Sequence, residues 1–361
     1  MNIIFAGGGT AGHINPALAI ANHIKNADKN VNILFIGTKK GLESTLVPKD
    51  GYDIKYINAE GFSTSLSIKN IKSLSKFAIS TLKSMNIISK FKADFVIGTG
   101  GYVCAPVVFA AYLKKIPTLI HEQNVFPGSA IKFLSKFANV TATSFKESDD
   151  YLKNAKNIVL TGNPIRPSIL MADREISRKE MGLENENLIV SVGGSLGAQK
   201  INDIMCNYVN KYKNSHNKVF IATGQREYEK VCEKMSGKSG NFEIKPYIHN
   251  MDTVMSAADV LICRSGAITL SELCALGRAS VLIPSPNVVN NHQEYNARAL
   301  EKNGAAKVIL EKDFNEDILN DVIDEILENA DVKANMEKCA SKMAMTSACD
   351  IIYDEIKKIL G

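Results

Sequence analysis

The sequence predicts two doubly wound α/β domains, each built on a parallel sheet, and three observations carry that reading. Short apolar runs alternate with helical patterns along all 361 residues, as in parallel sheets covered by crossover helices. Three of these runs end in a glycine turn that opens a helix: GGGTAGH at 7–13, GTGGYVCAP at 98–106 and GGSLGAQKIN at 193–202. At 161–169 the segment TGNPIRPSI, with two prolines, interrupts the pattern before a fresh βα series begins.

Taken in order, the first domain has strands near 2–6, 31–36, 94–98, 117–121, 140–143 and 157–161. The second has them near 187–192, 217–222, 259–263, 279–284 and 306–310. The domains are expected over 1–164 and 165–345, with a helix at about 346–361 packing back on the first. Ligands bind outside the carboxyl ends of such strands, so a cleft between the domains is the expected site.

A chain that is 45% hydrophobic and 22% charged reads as globular. No uncharged apolar run reaches the roughly 18 residues of a membrane span. The N-terminus enters a strand with no basic or apolar leader, so secretion is not expected. Seven cysteines without a C-x-x-C pair are expected as reduced thiols in a cytosolic setting. No His/Asp cluster has metal-ligand spacing, so no metal is expected.

Charge is distributed unevenly. Residues 1–164 hold 19 lysines, no arginine and 10 acids, whereas the remainder holds 24 basic and 28 acidic residues. A basic first domain implies an anionic partner. Nucleic acid is not supported, because basic–aromatic interleaving, zinc spacing and a helix-turn-helix signature are all missing. An anionic membrane surface or an anionic lipid fits. The segment 66–92 has six lysines and no acid, and Ile68, Ile71, Leu74, Ala78, Leu82 and Met85 form a helical stripe suited to an ordinary core-facing helix. Phe77, Ile79 and Ile88 fall off that stripe and leave a second apolar surface among the lysines. Lys132, Phe133, Lys136 and Phe137 add to it.

Gly7, Gly9 and Gly12 satisfy G-x-G-x-x-G, the dinucleotide fingerprint. That reading also needs an acid about 20 residues on, at the end of the second strand. Here the strand VNILFIG ends in Thr38, Lys39 and Lys40. A nicotinamide cofactor is therefore not expected, and none other is implied. Exposed amides in a glycine loop and the dipole of the next helix suit any phosphate-bearing ligand.

The motifs GGGTAGH, GTGGYVCAP, HEQNVFPG, TGNPIR, GGSLGAQKIN, CRSGAITLSE and NNHQEYNA follow one another in order. Together they closely resemble the bacterial peptidoglycan N-acetylglucosaminyltransferase family, the MurG family, over essentially the whole chain. The resemblance implies a GT-B fold with an interdomain cleft and UDP-N-acetylglucosamine as donor. It implies lipid I, an undecaprenyl-pyrophosphoryl-muramyl-pentapeptide, as acceptor. Transfer would go to the C4 hydroxyl with inversion, giving lipid II, at the cytoplasmic face of the cell membrane. The family mostly has glycine where this chain has Ala11.

Site residues follow from the same resemblance. Glu272 takes the ribose hydroxyls, while Ala267, Ile268, Thr269, Leu270 and Ser271 line the diphosphate at a helix N-terminus. Ser195 and Arg166 contact phosphate, the backbone of Ile248 reads uracil, and Gln293 and Asn124 hold sugar hydroxyls. Thr10, Ala11 and Gly12 face the donor, with Thr10 and Gly12 bordering the acceptor pyrophosphate held by Gly9, Gly101 and Tyr102. Two groups can deprotonate the acceptor hydroxyl, His13 and Glu122. The histidine is preferred because it titrates near the operating pH without special tuning, whereas the carboxylate needs burial to raise its pKa.

Overall fold

The computed structural model describes residues 1–59, 68–194 and 197–361, and over 68–73 only the backbone. The chain forms two compact units, one of Met1–Ile165 with Met345–Gly361 and the other of Arg166–Ala344.

Unit 1 holds one parallel sheet built from β1 (Asn2–Gly7), β2 (Asn32–Gly37), β3 (Asp53–Tyr56), β4 (Phe95–Gly100), β5 (Thr118–Glu122), β6 (Val140–Thr143) and β7 (Ile158–Leu160). Their spatial order is β3-β2-β1-β4-β5-β6-β7. β4 and β5 are buried along their whole length, which explains why they read as continuous apolar runs rather than as alternation. The order runs away in opposite directions from the β1–β4 pair. The loops after these two strands therefore border a crevice at the switch point.

The Ala11–Ala27 helix lays Ile14, Ala17, Ile20, Ala21 and Ile24 on this sheet. Ile352 and Ile356 of the Ala348–Leu360 helix complete the same core.

Unit 2 repeats the plan with β8 (Asn187–Val192), β9 (Asn217–Ala222), β10 (Phe242–Lys245), β11 (Val260–Cys263), β12 (Ser280–Leu282) and β13 (Lys307–Val308). The order β10-β9-β8-β11-β12-β13 puts its switch point between β8 and β11. The seven cysteines are free thiols. Among the described residues no helix is long and apolar enough to cross a membrane.

Two strands fall outside the sequence expectation. β3, reading DIKY, and β10, reading FEIK, are sheet edges paired on one side only. Their half-exposed residues give no apolar run to detect.

The Ile68–Phe91 helix corrects a second expectation. Its buried face is Ser80, Thr81, Ser84 and Ile88, whereas Leu74, Ala78 and Leu82 of the expected core stripe point to solvent. The side chains of Ile68, Lys69, Ile71 and Lys72 lie outside the described residues. The reason is that hydroxyl groups can be buried here at little cost. Thr81 Oγ1 bonds Phe77 O at 2.8 Å, Ser84 Oγ bonds Ser80 O at 2.7 Å, and Ser80 Oγ bonds Asn58 O. Small residues on that face allow close packing on the Cys104–Leu113 helix.

Candidate active site

At the switch point of unit 1 the chain leaves β1 through Gly8 and Gly9 and enters the Ala11–Ala27 helix at an exposed first turn, Thr10–Gly12. The Gly8 amide donates to Gly100 O at 3.4 Å, which ties the first loop to the second. Thr99 Oγ1 donates to His13 O at 2.7 Å, which ties β4 to the first turn of the helix. Gly101 has φ +78, and a Cβ there would lie 2.1 Å from Gly8 O. Only glycine admits that carbonyl. Tyr102 lies over Gly9, and its hydroxyl is 3.4 Å from Thr38 Oγ1.

His13 packs on Gly100, and its Nδ1 is 3.1 Å from Gly8 O and 3.3 Å from Thr10 Oγ1. A carbonyl oxygen only accepts, so the bond to Gly8 requires the hydrogen on Nδ1 and leaves the lone pair on Nε2. This is the tautomer of a base acting through Nε2.

Glu122 is placed differently. Its Oε1 accepts from Asn124 N at 2.9 Å and Asn124 Nδ2 at 3.1 Å, and its Oε2 accepts from Gly128 N at 2.8 Å. Burial pushes its pKa up, while the same N–H bonds oppose that shift. Its carboxylate therefore braces the 124–128 loop and orients Asn124.

Sequence reasoning passed over the residues that hold these groups. Gln123 Nε2 donates to Thr99 O at 2.9 Å and lies 3.0 Å from His121 Nδ1. His121 Nε2 bonds Gly162 O at 3.0 Å, and Asn163 Nδ2 donates to Gln123 O at 3.2 Å. Glu43, fully buried, accepts from Gly9 N at 3.0 Å, so the Gly9 amide is engaged within the protein. HEQN marked the first group by motif; for Glu43 the only signal was an acid beyond the second strand.

Burial lowers the pKa of His121 from 6.5 to about 4. The folded protein thus holds it neutral while the unfolded chain takes up a proton below 6.5. The stability that depends on it is complete above that pH and is lost as pH falls toward 4, by up to ~1.4 kcal/mol per pH unit. In denaturant titrations between those limits, His121→Gln should flatten the pH dependence relative to the native chain. Equal slopes would show that His121 is not the group responsible.

In unit 2 the turn after β11, Arg264–Gly266, opens the Ala267–Leu276 helix with Gly266 as its N-cap. Ile268, Thr269 and Ser271 are partly accessible, and Ser271 Oγ bonds Ala267 O at 3.1 Å. Leu270 is fully buried and its amide donates to Gly266 O at 3.0 Å, so it belongs to the core rather than to a ligand surface. Ala267 and Ile248 are also buried. Glu272 is buried with its Oε1 2.7 Å from Arg166 Nε. Gln293 Oε1 accepts from Ser285 N at 2.9 Å, which leaves its Nε2 as the donor it can offer. Asn296 Nδ2 reaches Ser265 O at 3.2 Å and joins the His292–Lys302 helix to the Arg264–Gly266 turn. Ser195 lies outside the described residues. Among the described residues no three His, Cys, Asp or Glu side chains converge to hold a metal ion.

Each unit thus carries a glycine turn and a helix N-terminus at its switch point. Comparison with known proteins matches residues 3–143 to the glycosyltransferase family 28 N-terminal domain and 188–352 to the glycosyltransferase family 28 C-terminal domain. The chain is 50% identical over 364 residues to the UDP-N-acetylglucosamine--N-acetylmuramyl-(pentapeptide) pyrophosphoryl-undecaprenol N-acetylglucosamine transferase of Thermoanaerobacter sp. (strain X514), covering 99% of this chain and 100% of that one. It resembles the crystal structure of Acinetobacter baumannii MurG with a TM-score of 0.82 and 27% identity over 99% of both chains. A UDP-GlcNAc 2-epimerase from Neisseria meningitidis shares the fold, with a TM-score of 0.69 and 14% identity over 99% of this chain and 100% of that one.

Proposed function

This chain belongs to glycosyltransferase family 28, among the N-acetylglucosaminyltransferases of peptidoglycan synthesis, and from that premise we propose how its residues carry out the transfer. The substrates are UDP-N-acetylglucosamine and the lipid-linked muramyl-pentapeptide, lipid I, and the product is lipid II. The C4 hydroxyl of the muramyl sugar attacks C1 of N-acetylglucosamine and gives its proton to His13 Nε2. The C1–O bond to UDP breaks as its electron pair moves to the β-phosphate, and configuration at C1 inverts.

The observation that carries this reading is the Nδ1 contact of His13 with Gly8 O, which leaves Nε2 as the proton acceptor at a switch point. Unit 2 takes the donor. The diphosphate meets the N-terminus of the Ala267–Leu276 helix, whose dipole offsets the developing charge. Glu272 Oε2 takes a ribose hydroxyl beside the Arg166 pair, and Gln293 holds the sugar. Gly101, Tyr102 and the exposed turn Thr10–Gly12 receive the acceptor. A radiolabelled transfer assay with lipid I tests the function. Label in lipid II with release of UDP supports it, and conversion of UDP-N-acetylglucosamine without transfer overturns it in favour of an epimerase.

Unit 1 meets the membrane through an apolar face. Leu74, Ile79 and Leu82 are exposed on one helix, Tyr112 and Leu113 on the next, and Phe133 on a third. Phe77, Phe109, Phe133 and Phe137 pack as one aromatic cluster beneath, with neighbouring centroids 5.2–6.2 Å apart. Lys83, Lys115 and Lys136 are exposed on the same three segments. Apolar side chains flanked by lysines suit an anionic bilayer surface. The double substitution Ile79→Glu/Leu82→Glu should weaken co-sedimentation with anionic vesicles at least about tenfold, since each buried side chain contributes ~1.5–3 kcal/mol. Transfer to a short-chain, water-soluble acceptor should persist. Undiminished vesicle binding would remove this face from the membrane contact.

A further inference from the structure

We propose that Glu43 is a positioning residue that fixes the tautomer of His13 through a single peptide bond, a role that rests on the reading of His13 as the base. The peptide joining Gly8 to Gly9 presents its N–H to one residue and its C=O to the other. Gly9 N donates to Glu43 Oε2 at 3.0 Å, and Gly8 O lies 3.1 Å from His13 Nδ1. In a planar peptide these two groups point in opposite directions, so setting one sets the other.

The donor and acceptor inventory then forces each step. Glu43 Oε2 accepts the Gly9 N–H, which fixes that face of the peptide. The Gly8 carbonyl must then face the ring, Nδ1 must carry its hydrogen, and the lone pair falls on Nε2. The bond to Glu43 also polarises the peptide, which strengthens the Nδ1–H···O bond at its far end.

Without Glu43 the peptide could reverse. Glycine on both sides lets the flanking torsions rotate, and Gly9 already sits at φ +86. The reversed peptide would turn an N–H toward Nδ1, and Thr10 Oγ1, 3.3 Å away, could donate there too. That arrangement favours the Nε2–H tautomer, which cannot take a proton from the acceptor.

Glu43 is itself held firmly. Its Oε1 accepts from Thr38 N at 2.9 Å and Thr38 Oγ1 at 2.8 Å. Glycines crowd it: a Cβ on Gly8 would lie 2.7 Å from Oε1, one on Gly41 2.0 Å from Oε2, and one on Gly37 2.5 Å from Cγ. Its side chain is fully buried, so its carboxylate does not reach substrate.

The test is the tautomer of His13, read from the ¹⁵N shifts of its ring nitrogens, with the resonance identified by its loss in His13→Gln. The native protein should give the Nδ1–H form. In Glu43→Gln the side-chain oxygen stays with the two Thr38 donors and the amide NH₂ faces Gly9, a donor against a donor. The peptide reverses, His13 moves to the Nε2–H form, and kcat falls roughly 10–100-fold. The KM for UDP-N-acetylglucosamine should change little, while the thermal midpoint should fall because a buried donor then faces a donor. In a His13→Ala background the Glu43→Gln change should alter kcat by less than about twofold, because the two act through one group.

An Nδ1–H tautomer retained in Glu43→Gln overturns the proposal. So does an Nε2–H tautomer in the native protein, a result available even if the variant fails to fold. Native-like kcat in His13→Ala would instead overturn the base assignment, while the spectra still decide the role of Glu43.

Discussion

His13→Ala should lower kcat by roughly 10²–10⁴-fold, the range lost when a positioned proton acceptor is removed. The donor KM should hold, because the ribose and diphosphate contacts assigned to Glu272 and the Ala267–Leu276 helix belong to unit 2. The low-pH limb of the kcat profile should vanish along with the imidazole. Glu122→Gln gives the necessary contrast. Its oxygens accept three N–H groups from Asn124 and Gly128, and a glutamine must present a donor to one of them. Its main effects should be a lower thermal midpoint and a displaced Asn124, with the low-pH limb retained. Steady-state rates between pH 5 and 9, roughly, separate the two residues; loss of the limb in Glu122→Gln alone would transfer the base role to that carboxylate.

Gly101→Ala should be the most damaging single methyl group in unit 1. A left-handed backbone costs a non-glycine residue about 1–2 kcal/mol, and here the added carbon would also sit 2.1 Å from Gly8 O. A backbone oxygen cannot rotate aside as a side chain can, so the two loops must separate. Stability should fall by about 2–4 kcal/mol, and acceptor turnover should fall with it because Gly8 O also anchors His13. Gly51→Ala is the control. It has φ +87 but nothing within 4 Å of its Cβ position, so it should show the backbone cost alone. Urea midpoints for the two variants compare the terms directly. Equal losses would mean that the approach of Gly101 to Gly8 has no energetic weight.

Much of this was legible in the sequence because the central strands are buried on both sides and read as uninterrupted apolar runs. β3 and β10 were not legible, since an edge strand with solvent on one side has no such run. The Ile68–Phe91 helix misled for a related reason. Periodicity assigns the apolar stripe to the core, but its buried seam is made of Ser80, Thr81 and Ser84, whose hydroxyls are satisfied within the chain. Glu43 was missed by a different route. The fingerprint asks for an acid at the tip of the second strand, and Thr38, Lys39 and Lys40 stand there instead. The carboxylate comes one turn later and reaches back to the glycine loop, a contact that residue spacing does not encode. Residue type favoured His13 over Glu122 only narrowly, and what their polar atoms already bond separates them further.

The return of the Ala348–Leu360 helix to unit 1 has a consequence for biogenesis. Unit 2 is continuous in the chain, so all of its sequence is available while the last helix is still to be synthesised. Unit 1 begins first and is completed last. The apolar face that Ile14, Ile20 and Ile24 share with Ile352 and Ile356 stays uncovered until that helix leaves the ribosome. Until then unit 1, the half to which His13 belongs, is held in an open, aggregation-prone form. The half assigned to nucleotide-sugar binding can be finished before the half assigned to the lipid acceptor is closed.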